Sequence, residues 1–426
     1  MASPSTADLT GLFMETYGDS LKDFMPKSLT LLPRIGFESK TRISSKFHVP
    51  VVVASEQGVT YAPAAAGAFT LADPVALNTQ DAQVDAVNMV VAASIDYESA
   101  AKAAVSKSSF AELTALKVKH MTTTARKRLE ISLWHGQNGL GTVEAATNPS
   151  DGHVRLTISA ATWAPLVWAG MTGAHLDLYD GTTLQNDQAD LVVEKVDIAN
   201  RYVYCTSGTS DDSSIAGISF GGNEVLYFAK TTTYNSTTFA SHNDMLGILK
   251  QLNTSGSVFN IDNSVYEQWA PNSYNASGAM TYAKTVAAVD LAVSRGLEED
   301  VEVFMSYKTF NNVANDMAAL RVIDQSYDPK KAIAGFESVQ FHGLNGAIKL
   351  TPSGFCPGGT AVVLPVKDCI RVGATDLTFS TPGSKGGDIF FQLSTQAGFG
   401  LRAYQNQGVA CLAPSRAVLV TGIVNT

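Results

Sequence analysis

The chain has 426 residues and a mass of 45.1 kDa, which is enough for two or three domains with a sizeable core. Charged residues make up 16% of it, well below the roughly 25% that is usual, so much of its surface is expected to lie against protein, as in an oligomer. The net charge of −9 argues against a free-standing nucleic-acid binder, because such proteins carry an excess of Lys and Arg.

The cysteines and the N-terminus predict where the protein is made. Cys205, Cys356, Cys369 and Cys411 have neither metal-knuckle nor dithiol spacing, which favours a reducing compartment. The N-terminus lacks a basic start followed by an apolar run, and no stretch approaches the roughly 18 apolar residues that cross a bilayer. We therefore expect synthesis in the cytoplasm and no contact with a membrane.

Residues 1–44 are predicted to form an N-terminal arm. Pro26 and Pro33 interrupt its short helical patterns, so the segment lacks the periodicity of a compact unit. Such an arm needs another surface on which to lie.

Residues 45–80 are predicted to form an extended β loop. The string KFHVPVVV begins a strand at Lys46, and the alternating segment that starts at Ala82 forms another, with a Gly- and Ala-rich tip between them. The pattern predicts a long, hairpin-like excursion from the body of the protein.

Residues 81–141 contain the strongest local signal. No Gly or Pro occurs between Pro74 and Gly136, and at 100° per residue one apolar stripe runs along this segment. The spacing predicts a single helix at about 109–135, ended by Gly136. The stripe comprises Phe110, Val118, Met121, Ala125, Leu129 and Leu133.

Residues 142–241 are predicted to form an all-β domain, because short β-type runs alternate with Gly, Asn and Asp turns. This segment holds 11 acidic and four basic residues, a net charge of −7 out of the total of −9. Helices and strands then alternate in residues 242–365, which predicts an α/β domain whose first helix follows a cap at Ser241. Residues 366–426 add further strands.

No candidate catalytic, cofactor-binding or metal-binding residue is supported. GISFG matches a nucleophile-elbow pattern around Ser219, but a polar loop precedes it and a strand follows it, so the pattern predicts a turn. The glycines of GQNGLG follow a helix instead of preceding one, which predicts a helix stop and flexible linker rather than a phosphate cradle. The seven histidines never pair at ligand spacing.

The basic run at Arg126, Lys127 and Arg128 lies off the apolar stripe of the long helix. A solvated helix face is the favoured interpretation, with weak contact to a polyanion or a partner subunit as the alternative. Neither interpretation gives enzymatic chemistry.

Taken in order, these elements resemble the major capsid proteins of tailed bacteriophages, whose Hong Kong-phage capsid fold also occurs in encapsulins. The order of the segments carries the resemblance more strongly than any one motif, and it covers all but the 142–241 insert. The most specific strings are METYGD (Met14–Asp19), KFHVPVVVASEQGVTYA, TTARKRLEISLWHGQNGLG and VACLAPSRAVLVTGI.

The resemblance implies an α+β fold with an N-terminal arm at 1–44, an extended β loop at 45–80, and a peripheral domain with a spine helix at 81–141. It also implies an axial α/β domain at 242–365 and, at 366–426, return strands of the peripheral domain. The all-β domain at 142–241 is an insertion whose fold the resemblance does not supply. The arm at 1–44 lacks the long helical extension that supplies a fused scaffold in some members, so a separate scaffolding protein is expected.

The implied function is that of a structural protein, not an enzyme, which self-assembles as hexamers and pentamers into an icosahedral shell around phage DNA. Many copies of the chain, a separate scaffolding protein, a portal and in some members a decoration protein are the implied partners; no cofactor is implied, and the location is the virion. An encapsulin-like cargo compartment is one alternative. A cytosolic α/β enzyme with an accessory β domain is the other.

Three expectations complete this interpretation. The arm and the loop order only on assembly, because segments with few internal contacts do not offset their conformational entropy. The loop forms no isopeptide bond of the kind known in some members, because no Lys occurs between Lys46 and Lys102. The acidic insert projects outward, away from packaged DNA, with sideways packing between subunits as the alternative.

Overall fold

The computed structural model describes 21 strands and five helices within fourteen stretches of the chain. The described residues are 28–38, 46–65, 67–96, 107–147, 154–181, 183–184, 191–207, 222–229, 244–253, 255–321, 339–343, 345–379, 390–392 and 398–425. The helices are α1 (Lys107–His135), α2 (Pro165–Trp168), α3 (Ile248–Leu252), α4 (Tyr282–Val293) and α5 (Tyr307–Arg321). None of these helices is both long and apolar enough to cross a membrane.

Helix α1 is the long helix predicted from the sequence, and it is two residues longer at its N-terminus than expected. The stripe residues Met121, Ala125, Leu129 and Leu133 are all buried. The residues of its last two turns are all buried, because they share one core with three β structures described below: a four-stranded sheet, a barrel and a six-stranded sheet. The helix therefore passes from a one-sided amphipathic segment into the centre of the molecule.

A four-stranded antiparallel sheet packs against α1. Strands β3 (Val87–Asp96), β18 (Cys369–Thr378) and β19 (Phe390–Gln392) all pair with β20 (Gly398–Cys411). Its inward residues, which include Leu401 and Ala403, form a small core with Met121 of the helix.

A separate hairpin precedes this sheet. Strand β1 (Lys46–Ala54) pairs antiparallel with β2 (Asn78–Asp85), as the extended-loop pattern predicts. The alternating segment that starts at Ala82 does not form one strand, because it divides at Ala86 between this hairpin and β3. The hairpin is thereby connected directly to the sheet on α1.

The predicted all-β insert contains a closed six-stranded antiparallel barrel. The pairings run β10–β4–β5–β9–β8–β6, and β6 pairs with β10 to complete the circle. Eleven apolar side chains fill its interior with no exposed surface: Val143, Val154, Leu156, Ile158, Leu176, Leu178, Leu191, Val193, Val203, Cys205 and Leu226. The six barrel strands are β4 (Gly141–Thr147), β5 (Val154–Ile158), β6 (His175–Asp180), β8 (Leu191–Asp197), β9 (Tyr202–Ser207) and β10 (Glu224–Phe228). A short strand outside the circle, β7 (Thr183–Leu184), pairs with β6.

Two glycines let the chain leave α1 and return at the same point. The N–H of Gly247 donates to the carbonyl of Gly136 at 2.9 Å. A Cβ on Gly136 would lie 2.2 Å from the Met245 carbonyl oxygen, and one on Gly247 would lie 2.6 Å from the Gly136 nitrogen. The expectation of a flexible linker is therefore wrong at this point, since the first glycine of GQNGLG is enclosed by backbone.

Residues after the barrel form a six-stranded mixed sheet carrying α4 and α5. The strands lie in the order β13 (Asn272–Gly278), β21 (Val418–Ile423), β17 (Ala361–Leu364), β14 (Val301–Met305), β16 (Gly346–Pro352) and β15 (Val339–Gly343). Thr281 caps α4, and the Ser306 hydroxyl accepts from the Thr309 N–H in the first turn of α5. A two-stranded ribbon, β11 (Ser257–Val258) and β12 (Ile261–Asp262), precedes this sheet.

Two expectations for this half of the chain are wrong. The tail does not return entirely to the sheet on α1, because β21 inserts between β13 and β17, where its apolar residues are buried on both faces. The helix expected after Ser241 begins only at Ile248, since the chain from Asp244 to Gly247 is extended to reach the glycine crossing. Ser241 itself lies outside the described residues.

Candidate assembly surface

The hairpin of β1 and β2 carries an exposed apolar tip. Seven of the 14 large hydrophobic residues that are exposed in the described part of the chain lie between residues 52 and 77. They are Val52, Val59, Tyr61, Phe69, Leu71, Val75 and Leu77. Tyr61 is 92% exposed and Leu71 is 73% exposed, and no Lys or Arg accompanies them in this segment. Such a concentration of apolar surface is typical of a protein–protein contact.

The base of the hairpin is fixed to the body of the subunit. Ala82 and Val84 are buried in a core with Phe259 and Trp269. The Gln83 N–H donates to the Phe259 carbonyl at 2.9 Å, which ties β2 to the turn of the ribbon. The apolar tip is therefore held out on a support that packs within its own chain.

A hydrogen bond joins the two strands of the hairpin. His48 Nδ1 and the Asp81 carboxylate are 2.7 Å apart on the exposed face. This hydrogen bond lowers the pKa of Asp81, although the pair is open to solvent. The contact helps to set the register of the strands but contributes little stability.

The last described part of the N-terminal arm is clasped by a buried glutamate of α1. The Glu130 Oε1 atom accepts hydrogen bonds from the N–H and hydroxyl of Thr30, from the Leu31 N–H and from the Trp134 indole, at 2.8–3.1 Å. Its Oε2 atom accepts from the Leu32 N–H at 2.8 Å. Five donors thus surround one carboxylate that has no exposed surface.

A second set of contacts continues this clasp along residues 34–38. The Arg34 Nε donates to both carboxylate oxygens of Glu302 at 2.9 Å. The Arg371 Nε donates to the Ile35 carbonyl at 2.8 Å, and Phe37 forms a bridge to Arg371 on β18. The expectation that the arm packs only on a neighbour is therefore wrong for residues 28–38, because polar partners and burial hold them within their own subunit.

The basic run of α1 is only partly on a solvated face. Arg126 is exposed, but Lys127 is 5% exposed and Arg128 is half-buried. Burial and the charge of Arg128 lower the pKa of Lys127 to about 8, and burial lowers the pKa of Arg128 to about 10. The solvated-face interpretation is wrong for these two residues, because the barrel covers that side of the helix.

The other sequence candidates do not form a site. Ser219 lies outside the described residues. In the part of the chain that is described, no group of three His, Cys, Asp or Glu side chains is placed to hold a metal ion. The ring of His135 lies within the molecule, with its nitrogens 3.1 Å from the Gly139 carbonyl and 2.8 Å from the Phe355 carbonyl. Burial lowers the pKa of His135, and the buried ring links α1 to the loop after β16.

Glu130 is a buried, structurally central residue that the sequence analysis missed. Its one signal is position: it is a single carboxylate within the apolar run at the end of α1, where a solvated residue is not expected. Its five donors come mostly from residues about 100 positions away, so their arrangement follows from the tertiary fold.

The chain matches known proteins in three-dimensional structure but not in sequence. Sequence comparison finds no family model and no curated protein that matches the chain. The capsid asymmetric unit of cyanophage A-1(L) matches 99% of this chain and 99% of its own, with a TM-score of 0.55 and 10% identity. The chain has the tailed-phage capsid fold. The α+β architecture with an inserted all-β domain is thus confirmed, whereas the domain boundaries stay a prediction.

Two further structures match over their whole length with lower TM-scores. The capsid of a native GTA particle covers 100% of both chains, with a TM-score of 0.48 and 10% identity. The holo-SrpI encapsulin complex from Synechococcus elongatus PCC 7942 covers 100% of this chain and 98% of its own, with a TM-score of 0.39 and 10% identity. The assignment of the fold depends on the cyanophage match.

Proposed function

We propose that this chain is the major capsid protein of a tailed phage, which self-assembles into an icosahedral shell around the DNA genome. The observation that carries the proposal is the apolar tip of the hairpin, which is exposed on a base that is packed within the subunit. A monomer gains nothing from such a tip, whereas burial against a neighbouring copy stabilises assembly by about 25 cal/mol per Å².

The fold supports a structural role in two further ways. It is the fold of the cyanophage A-1(L) capsid, in which many copies form a shell. The long helix α1 and the clasp on Glu130 give a subunit whose centre is stiff, so that apolar contacts at its edge can hold neighbouring copies in a fixed geometry. In this proposal the hairpin lies across an adjacent subunit, and residues 242–365 meet around the axes of hexamers and pentamers.

A scaffolding protein, a portal and the packaged DNA are the further partners of the proposal, with a decoration protein on shells that have one. The acidic insert, residues 142–241, faces outward in this arrangement, because its net charge of −7 would repel packaged DNA. The barrel also contacts the loop after β16, where the Leu166 N–H donates to the Gly354 carbonyl at 3.0 Å. This contact holds the insert beside the six-stranded sheet.

Negative-stain images of the purified full-length chain test the proposal. We expect closed shells of many copies. Small compartments that enclose protein cargo would favour an encapsulin-like shell, and discrete small oligomers would favour the enzyme alternative and exclude the proposal. A Tyr61→Ser and Leu71→Ser double variant should leave free, folded subunits, while the control Val265→Ser, which alters an apolar residue that is 65% exposed elsewhere, should assemble normally.

The shell is further proposed to be held by non-covalent contacts. The hairpin offers no amine for an isopeptide bond, because no Lys occurs between Lys46 and Lys102. Denaturing gels of assembled particles should show one band at 45 kDa. A ladder of higher masses that survives boiling in reductant would contradict this part of the proposal.

A further inference from the structure

A cavity of about 260 Å³ lies between α1 and the turn that leads into β6. One wall is a single face of the helix, formed by His120, Thr123, Thr124, Lys127 and Arg128, which follow one another at helical spacing. The other wall is the turn at residues 170–174, in which Gly170 and Gly173 have positive φ angles of 72° and 81°. The cavity thus joins the basic part of α1 to the barrel.

The two cations on this face have few partners. The Lys127 ammonium donates to the Ala169 carbonyl, which leaves two of its three N–H groups for the cavity. The Arg128 guanidinium stacks on the Phe228 ring, 3.6 Å from its centroid. Within the described residues, neither cation has a carboxylate within 4 Å, and Arg128 has no hydrogen-bond acceptor.

One carboxylate lies near these cations, but it is already engaged. The Asp244 side chain accepts from the Ser132 hydroxyl at 2.9 Å and from the Met245 N–H at 2.8 Å. Burial raises the pKa of Asp244, so its negative charge is itself disfavoured. Two adjacent, partly desolvated cations therefore border the cavity, and the carboxylate near them is already hydrogen-bonded to other donors.

Burial of positive charge without a counter-charge is unfavourable, and the lowered pKa values of Lys127 and Arg128 express that cost. An anion bound in the cavity would offset this free-energy cost. Guanidinium and ammonium groups are also the side chains that recognise oxyanions best, because they supply several directed N–H donors. Thr124 and Thr172 line the same space, and their side chains carry neutral hydroxyl donors.

We propose that this cavity binds a small tetrahedral oxyanion of the phosphate class, held by Lys127 and Arg128 between α1 and the barrel. The volume is below the roughly 300–1,000 Å³ of sites for drug-sized ligands, which suits a free phosphate better than a nucleotide. A DNA duplex presents the same phosphate chemistry on a broad convex surface, which does not enter a cavity of this size. A bound anion would contact both the spine helix and the barrel, and so would help to fix the position of the inserted domain on the helix.

Titration calorimetry with sodium phosphate tests the proposal on the purified full-length chain. The titration is made at constant ionic strength against sodium chloride. We expect saturable binding of one phosphate per chain, weakened at least tenfold by Lys127→Met. The matched control is Arg126→Met, which removes the neighbouring exposed cation and should change the affinity less than twofold.

Two further measurements keep the test decisive. If Lys127→Met fails to fold, Thr124→Val and Thr172→Val together should weaken phosphate binding several-fold, and the thermal midpoint of the unmodified chain should rise in phosphate relative to chloride. A short DNA duplex at equal phosphate concentration should not displace the bound anion. Absence of saturable binding, equal loss in Arg126→Met, or binding of the duplex but not of free phosphate would each overturn the proposal.

Discussion

The barrel and the hairpin are both antiparallel β structures, yet they treat apolar residues in opposite ways. The barrel closes β10 onto both β4 and β6, so that it leaves no edge between these strands and places eleven apolar side chains where no solvent reaches them. The hairpin has two strands that do not close into a circle, and a tip with seven exposed hydrophobic residues. Two-stranded hairpins of this kind are marginally stable on their own.

The difference separates a part of the chain that is complete within one subunit from a part that needs another molecule. The barrel buries its apolar surface and pairs its backbone without help. The hairpin satisfies these requirements at its base alone, where Ala82 and Val84 join the core. Substitutions in the first region should therefore change the stability of the subunit, and substitutions in the second should change association.

Glu130→Gln should have the largest effect on subunit stability, because the hydrogen bonds of Glu130 are all formed within one subunit. An amide in place of the carboxylate puts an NH₂ group against the donors of residues 30–32, in either orientation. We expect a loss of about 3–5 kcal/mol in the free energy of unfolding, measured in urea, as for other broken buried charge contacts. Glu144→Gln, at an exposed site 3.9 Å from Arg201, should change it by less than about 0.5 kcal/mol. Equal effects of the two changes would mean that the clasp contributes nothing.

Leu156→Ala and Leu71→Ala compare the barrel and the hairpin directly. Leu156 has no exposed surface, so its truncation should lower the free energy of unfolding by about 2–5 kcal/mol. Leu71 is 73% exposed, and the same truncation should change that free energy by no more than about 0.5 kcal/mol while it weakens assembly. Urea unfolding and particle yield measure the two quantities. A large loss of subunit stability in Leu71→Ala would show that the tip packs within its own chain.

Proteolysis of the free subunit and of the assembled particle should distinguish the hairpin tip from segment 28–38, which is complete within the subunit, by the rate of cleavage. Cleavage at the tip, between residues 55 and 77, should be fast in the free subunit and slow after assembly, since the tip has few contacts of its own. The segment 28–38 should resist in both states, because Glu130 and Arg371 hold it. Equal resistance of the tip in both states would contradict the comparison.

The smallest expected effect is on the pH dependence of the free energy of unfolding. Because burial lowers the pKa of His135 below its ordinary value of 6.5, the unfolded chain binds a proton that the folded chain does not. The stability that the neutral ring contributes is complete above pH 6.5 and falls as the pH drops towards the lowered value, by at most about 1.4 kcal/mol per pH unit. His135→Gln should remove this component from the pH profile of unfolding. His120→Gln, at a half-buried site, should leave it, and a profile unchanged by His135→Gln would exclude the linkage.

The sequence predicts those features that depend on near neighbours in the chain. The run without Gly or Pro predicts α1, and alternation predicts the strands of the insert and the hairpin. It does not predict that β10 closes a circle or that β21 enters the six-stranded sheet, because both depend on pairings with distant strands. Lys127 and Glu130 were misjudged or missed for the same reason: their surroundings come from segments about 40 and 100 residues away.

The crossing of Gly136 and Gly247 has a consequence for how this chain could change over generations. The segment between them leaves and rejoins the subunit at two backbones joined by one hydrogen bond. Domain insertions are tolerated where their two ends lie close together, because the flanking structure need not move. The 110 residues between the glycines can thus be lengthened, or exchanged for another domain that covers the same side of α1, while the spine helix and the helix that begins at Ile248 keep their places. The same junction is a natural position at which to graft a foreign domain onto the particle.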